Sequence, residues 1–147
     1  MRRLSIAAAA LFVLMSTSCG GGGSSTEREI VNSLDQTLRS VAGDWLGIAN
    51  VPNTIRLDFK LQEASNGQVS GTGTMKEENA AASVPITITG TFQRPVLTLA
   101  FEGMVYESHA VKGAAQGSYT TVGGIGTTLT LTAPGYSRQV AILLQEK

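Results

Sequence analysis

Ile55-Arg56-Leu57-Asp58-Phe59-Lys60-Leu61-Gln62 decides the fold class. Apolar and polar residues alternate with a period of two, so an extended chain puts Ile55, Leu57, Phe59 and Leu61 on one face. Arg56, Asp58, Lys60 and Gln62 then occupy the other, the pattern of a half-buried antiparallel strand. Just downstream, Asn66-Gly67 is the dipeptide best suited to a tight type I′ hairpin. Val69 to Met75 returns from it, with Gly71 and Gly73 on the face of Val69 and Met75.

The same period continues to the C-terminal side. Val84, Ile86, Ile88 and Phe92 alternate mainly with threonines, and Arg94-Pro95 marks a turn. Leu97, Leu99 and Phe101 follow. The stretch from Val105 to Val122 divides less clearly, because Gly113 suits either a turn or a bulge. Gly123-Gly124-Ile125-Gly126 reads as a flexible turn, not a phosphate-cradling loop, since a strand follows it and not a helix. Ile125 to Thr132 alternates Leu129 and Leu131 with Thr128, Thr130 and Thr132, Pro134-Gly135 turns the chain, and Gln139 to Leu144 makes a last strand. No helical segment separates these strands, so parallel crossovers are disfavoured. The expectation over 43–147 is all-β: a small antiparallel up-and-down β-barrel of eight or nine strands. Gly71, Gly73, Gly90 and Gly117 supply the curvature that closure requires. Leu57, Phe59, Ile86, Ile88, Leu99 and Leu131 are expected inside. A barrel set in a bilayer is disfavoured, because the outward positions carry Arg, Asp, Lys and Thr and no aromatic girdle.

Before residue 43 the composition changes. Arg2 and Arg3 precede the apolar run Ile6–Met15, which is shorter than a membrane-spanning helix, and Ser16, Thr17 and Ser18 follow. Residues 1–18 therefore read as a secretory signal. Cys19 is the single cysteine, so it has no disulfide partner within the chain, and its place directly after the signal calls for an explanation. Leu14-Met15-Ser16-Thr17-Ser18-Cys19 resembles the cleavage region of bacterial lipoproteins, although Ser16 stands where that family usually has Leu. The resemblance implies acylation of Cys19 and attachment to a membrane through the acyl chains. It also implies a cell-envelope location, and in a host with two membranes the outer one, facing the periplasm or the cell surface. Residues 19–25 then form a lipidated cysteine with a Gly/Ser tether. Thr26-Glu27-Arg28-Glu29 matches a capping box. Ile30, Leu34 and Leu38, with Val31 and Val41 beside them, give one apolar face, and Gly43 suits a helix end. A short amphipathic helix over 26–42 is predicted, packed on its own domain or offered to a partner.

Removing residues 1–18 leaves 9 basic and 11 acidic residues, a net charge near −2. No segment carries a basic stripe, which argues against nucleic acid as a partner. The inventory for catalysis is thin. His109 is the only histidine and is expected on the surface, and an acylated Cys19 is no nucleophile. Glu77-Glu78 reads as a solvated turn, and no His or Cys pair has metal-ligand spacing. Neither an enzyme nor a cofactor is expected.

Gly43-Asp44-Trp45 resembles the G-x-W motif of the lipocalin-like (calycin) barrels. In that family the Trp plugs one end and an Arg of the last strand packs over it. Here Arg138 begins the final strand, so it reaches the Trp45 end only with nine strands and the opposite end with eight. The resemblance implies a small apolar ligand in or at the mouth of the barrel, with Trp45, Phe59 and Phe101 its contacts. The alternative is a structural or interaction lipoprotein whose barrel is filled by its own side chains.

Overall fold

The computed structural model describes residues 39–50, 53–119 and 124–147. Eight antiparallel strands run up and down in chain order: β1 (Gly43–Ala49), β2 (Ile55–Glu63), β3 (Gln68–Glu77), β4 (Val84–Gln93), β5 (Val96–Tyr106), β6 (His109–Tyr119), β7 (Gly124–Ala133) and β8 (Tyr136–Glu146). Each pairs with the next, and β8 pairs back onto β1 (Trp45↔Glu146, Ile48↔Leu143), so the sheet closes as a barrel. Closure joins the two strands that would otherwise end the sheet. The architecture is consistent with a calycin-like fold.

Period-two alternation sorts the side chains as expected. Leu57, Phe59, Ile86, Ile88, Leu99 and Leu131 are all buried, none more than 4% exposed. Arg56, Lys60 and Gln62 point outward and are exposed. Apolar inside and polar outside is the reverse of a barrel whose outer wall meets lipid.

One end of the barrel, called the floor here, holds the start of β1, the β2–β3 and β4–β5 turns and the end of β8. The other end, the rim, holds the β3–β4, β5–β6 and β7–β8 turns. Eight strands place Trp45 at the floor and Arg138 at the rim, where its guanidinium lies 5.4 Å from the Tyr106 ring centroid. The Trp45 end instead holds Arg94, from the β4–β5 turn, and Arg39, from the segment before β1.

Four local expectations are corrected. Residues 39–42, the last turn of the predicted helix 26–42, are not helical: they form a strap across the floor. Residues 26–38 lie outside the described residues, as do the predicted signal 1–18 and the tether 19–25. Asn66-Gly67 does not form a two-residue type I′ turn. Ala64–Gly67 is a four-residue loop closed by Gly67 N–H to the Ala64 carbonyl (2.9 Å), with only Gly67 at positive φ (79°). The hairpin with two central residues at positive φ is instead Glu107-Ser108 (49° and 64°), where no glycine or asparagine announced it. Gly124, Ile125 and Gly126 belong to β7 and are no turn. Gly113 is likewise neither turn nor bulge: it pairs with both Phe101 and Leu131. The bulge lies across from it in β5, at Glu102-Gly103.

Candidate functional site

Trp45, Phe59 and Phe101, the expected ligand contacts, come together inside the barrel. Trp45 and Phe59 are partners in register on β1 and β2. The Phe59 and Phe101 rings meet edge to face, with centroids 6.0 Å apart and planes at 81°. Such aromatic pairs add to the area they bury. All three are buried against one core cluster, which also takes in Met75, Leu97, Leu129 and Ile142. Among the described residues no polar or charged residue is buried. A void beneath Leu97, Leu99, Ala115, Ile125 and Leu144 is too narrow for a water molecule.

The floor is closed by a polar clasp that the sequence did not announce. Val41 is fully buried, and its carbonyl accepts a hydrogen bond from Trp45 Nε1–H at 2.9 Å. The Glu63 carboxylate, whose side chain is only 6% exposed, accepts from Ser40 Oγ (2.8 Å), from Val41 N–H (3.1 Å) and from Arg94 Nη2. Arg94 Nε donates to the Arg39 carbonyl (3.2 Å), while its guanidinium stacks 4.7 Å from the Phe92 centroid. Burial pushes the Glu63 carboxyl up. The donors Ser40, Val41 and Arg94 outweigh it and hold the group below the ordinary carboxylate range.

At the rim, the Glu107-Ser108 hairpin is braced from two sides. The Glu77 carboxylate accepts the Glu107 N–H (3.1 and 3.2 Å), and Arg138 Nη1 pairs with Glu107 Oε1 at 2.9 Å. Glu77 thus has a structural partner that its reading as a solvated turn residue did not foresee. His109 is exposed, as expected, and its Nδ1 lies 2.7 Å from the Glu107 carbonyl. Tyr106 is buried, and neither its hydroxyl nor that of Tyr136 has a hydrogen-bond partner. Burial pushes the Tyr106 phenol up, partly opposed by nearby Arg138.

Between the β5 bulge and the rim lies a recess of about 410 Å³. Its lining includes Ala110, Ala133 and Pro134, the buried Met104 and Val111, and the charged Glu102 and Lys112. These two charges pair with each other at 2.9 Å. A smaller dent on the outer face of β2 and β3, over Gly71 between Lys60, Gln62, Ser70 and Thr72, is polar. Cys19 lies outside the described residues. Among the described residues no helix is long and apolar enough to cross a membrane, and no cluster of three potential metal ligands occurs. No protein-family model and no curated protein sequence matches the chain.

Proposed function

We propose that this chain is an exported lipoprotein, tethered to an envelope membrane through Cys19, whose barrel is a filled scaffold that works by binding at its outer surface. The observation that carries this reading is the interior. Among the described residues, twenty-five hydrophobic side chains from the strap and all eight strands are between 0 and 6% exposed. A chamber of several hundred cubic ångströms, the size small-molecule sites require, would leave some of them accessible to solvent. Many of the charged groups among the described residues lie on the outer surface and pair with one another, as in Arg56–Asp58, Lys112–Glu102 and Arg138–Glu107. That arrangement suits a binding scaffold better than acid–base chemistry. The tether reading rests on the signal-like segment, on unpaired Cys19 and on the Gly/Ser run after it.

The reading in which an apolar ligand sits inside, against Trp45, Phe59 and Phe101, requires those packed rings to part. Methyl NMR of the full Cys19→Ala chain with a panel of fatty acids, sterols and apolar pigments separates the two. A scaffold leaves the methyls of Leu57, Leu99 and Leu131 unmoved, whereas saturable shifts there would establish an interior site. For the tether, intact mass of the membrane-extracted protein should show a processed, acylated cysteine. An unmodified Cys19 would refute it.

A further inference from the structure

The recess beside the β5 bulge is shaped by backbone features that ordinary barrel strands lack. Across from Lys112 of β6, β5 places two residues, Glu102 and Gly103, where one would suffice. Gly103 is at φ +83°, and a side chain there would meet the Pro85 carbonyl oxygen at 2.8 Å, so only glycine fits. On the other side a Cβ at Gly113 would fall 2.4 Å from Met104 Sδ. The missing side chain therefore leaves the thioether its place in the core beneath the recess. Three and four residues beyond Met104, Glu107 and Ser108 both hold positive φ without being glycine. Bulges and backbone outliers of this kind gather next to functional sites.

We propose that this recess is a binding site for a small, uncharged, apolar molecule, of the size of one or two ring systems; the proposal rests on the filled-barrel reading and places the working surface within it. Its volume falls within the range of small-molecule sites. Its accessible apolar lining is Ala110, Ala133 and Pro134, set over the buried Met104 and Val111. The ligand is uncharged because Lys112 and Glu102, the ionic groups at the edge, neutralise each other. It is small because the apolar surface ends at the recess. Leu143, the exposed large hydrophobic among the described residues, lies on β8 paired with Ile48, away from it. A protein partner would need an apolar core within a face of roughly 800 Å², and the strands around the recess present small or polar residues such as Thr98, Ala100, Ala114, Gln116, Thr128 and Thr132.

The test uses the full Cys19→Ala chain, free of detergent, with N-phenyl-1-naphthylamine as an uncharged fluorescent probe and 8-anilinonaphthalene-1-sulfonate as its charged counterpart. Saturable enhancement of the uncharged probe is expected, with weaker binding of the sulfonate. Ala110→Trp, at an exposed position on the recess wall, should weaken probe binding about tenfold or more while the melting temperature holds. Thr72→Trp, on the polar dent of the opposite wall, should leave binding unchanged. Should Ala110→Trp not fold, the probe-induced shift of the ¹³C-labelled Met104 methyl in the parent chain decides instead. Absence of saturable binding, undiminished binding by Ala110→Trp, or preference for the sulfonate overturns the recess proposal and leaves the filled-barrel reading standing. Probe-induced shifts of the Leu57 and Leu131 methyls, with Met104 unmoved, overturn both.

Discussion

Replacing Glu63 with glutamine removes the charge that holds residues 39–42 over the barrel floor, at nearly constant side-chain volume. In the parent protein the carboxylate collects Ser40 Oγ, Val41 N–H and Arg94 Nη2. A hydrogen bond to a buried charged group contributes about 1.5–3 kcal/mol. Glutamine keeps one acceptor oxygen for the strap but turns an N–H₂ toward other donors. Arg94 is 35% exposed, so solvent takes up part of the lost pairing. The net cost is therefore about 2 kcal/mol, which should lower the urea midpoint by about 1 M for a domain of this size. The pH dependence identifies the cause. Glu63 has a folded pKa below its unfolded value, so its contribution is fully present above about pH 4.3 and is lost as the pH falls through the folded pKa. The gap between parent and Glu63→Gln should thus be constant near neutrality and close on acidification. Asp58, whose carboxyl is also held low by Arg56 and then Lys147, titrates alike in both proteins and cancels. Trp45, the only tryptophan, reports on the strap through its bond to Val41, and acrylamide should quench it more readily in the variant. Equal midpoints at pH 7, or a gap that persists unchanged to pH 3, would show that the clasp is not what secures the strap.

Three other outcomes are expected from denaturant unfolding. Leu99→Ala, at a side chain 1% exposed, should cost about 2–5 kcal/mol, and a loss under 1 kcal/mol would mean the interior is looser than described. Gly73→Ala places a Cβ 2.4 Å from Phe59 Cβ and 2.3 Å from the Asp58 carbonyl, which should cost about 1–3 kcal/mol or more. Gly126→Ala meets nothing within 4 Å and should be neutral or stabilising by up to about 1 kcal/mol; similar effects at the two glycines would contradict the strand spacing. Ser108→Gly relieves a positive φ of 64° and should raise stability by about 1 kcal/mol, detected as a higher midpoint with an unchanged m-value.

The strands were legible because alternation is a local property. Whether Leu57 or Asp58 faces the core depends on which side of an extended backbone each occupies, and the flanking residues already encode that. The interior positions of Ile86, Ile88, Leu99 and Leu131 followed from the same rule. The helix and anchor readings rest on equally local signals, a capping box and an apolar run before Cys19, but they fall outside the described residues. The placement of Trp45, Phe59 and Phe101 was partly legible: each is large, apolar and on an inward position. That Phe59 meets Phe101 edge to face required the sheet to curl.

What the tertiary structure alone decided depends on residues far apart in the chain. The strand count was open between eight and nine until β8 closed on β1, which joins Trp45 to Glu146 and fixes Arg138 at the rim. The clasp gathers Ser40, Glu63 and Arg94 from a strap, a strand end and a turn, and no spacing in the chain marks such a meeting. The recess lies beside the extra residue that β5 carries at Glu102-Gly103, and its lining is drawn from β5, β6 and the β7–β8 turn, which meet only in the folded sheet. Glu107-Ser108 takes positive φ for the same reason: the register of β5 and β6 leaves two residues to reverse the chain, and Glu77 and Arg138 hold them there against their own backbone preference. Period and burial are written residue by residue. Closure, bulge and clasp are set by the geometric condition that eight strands must meet end to end.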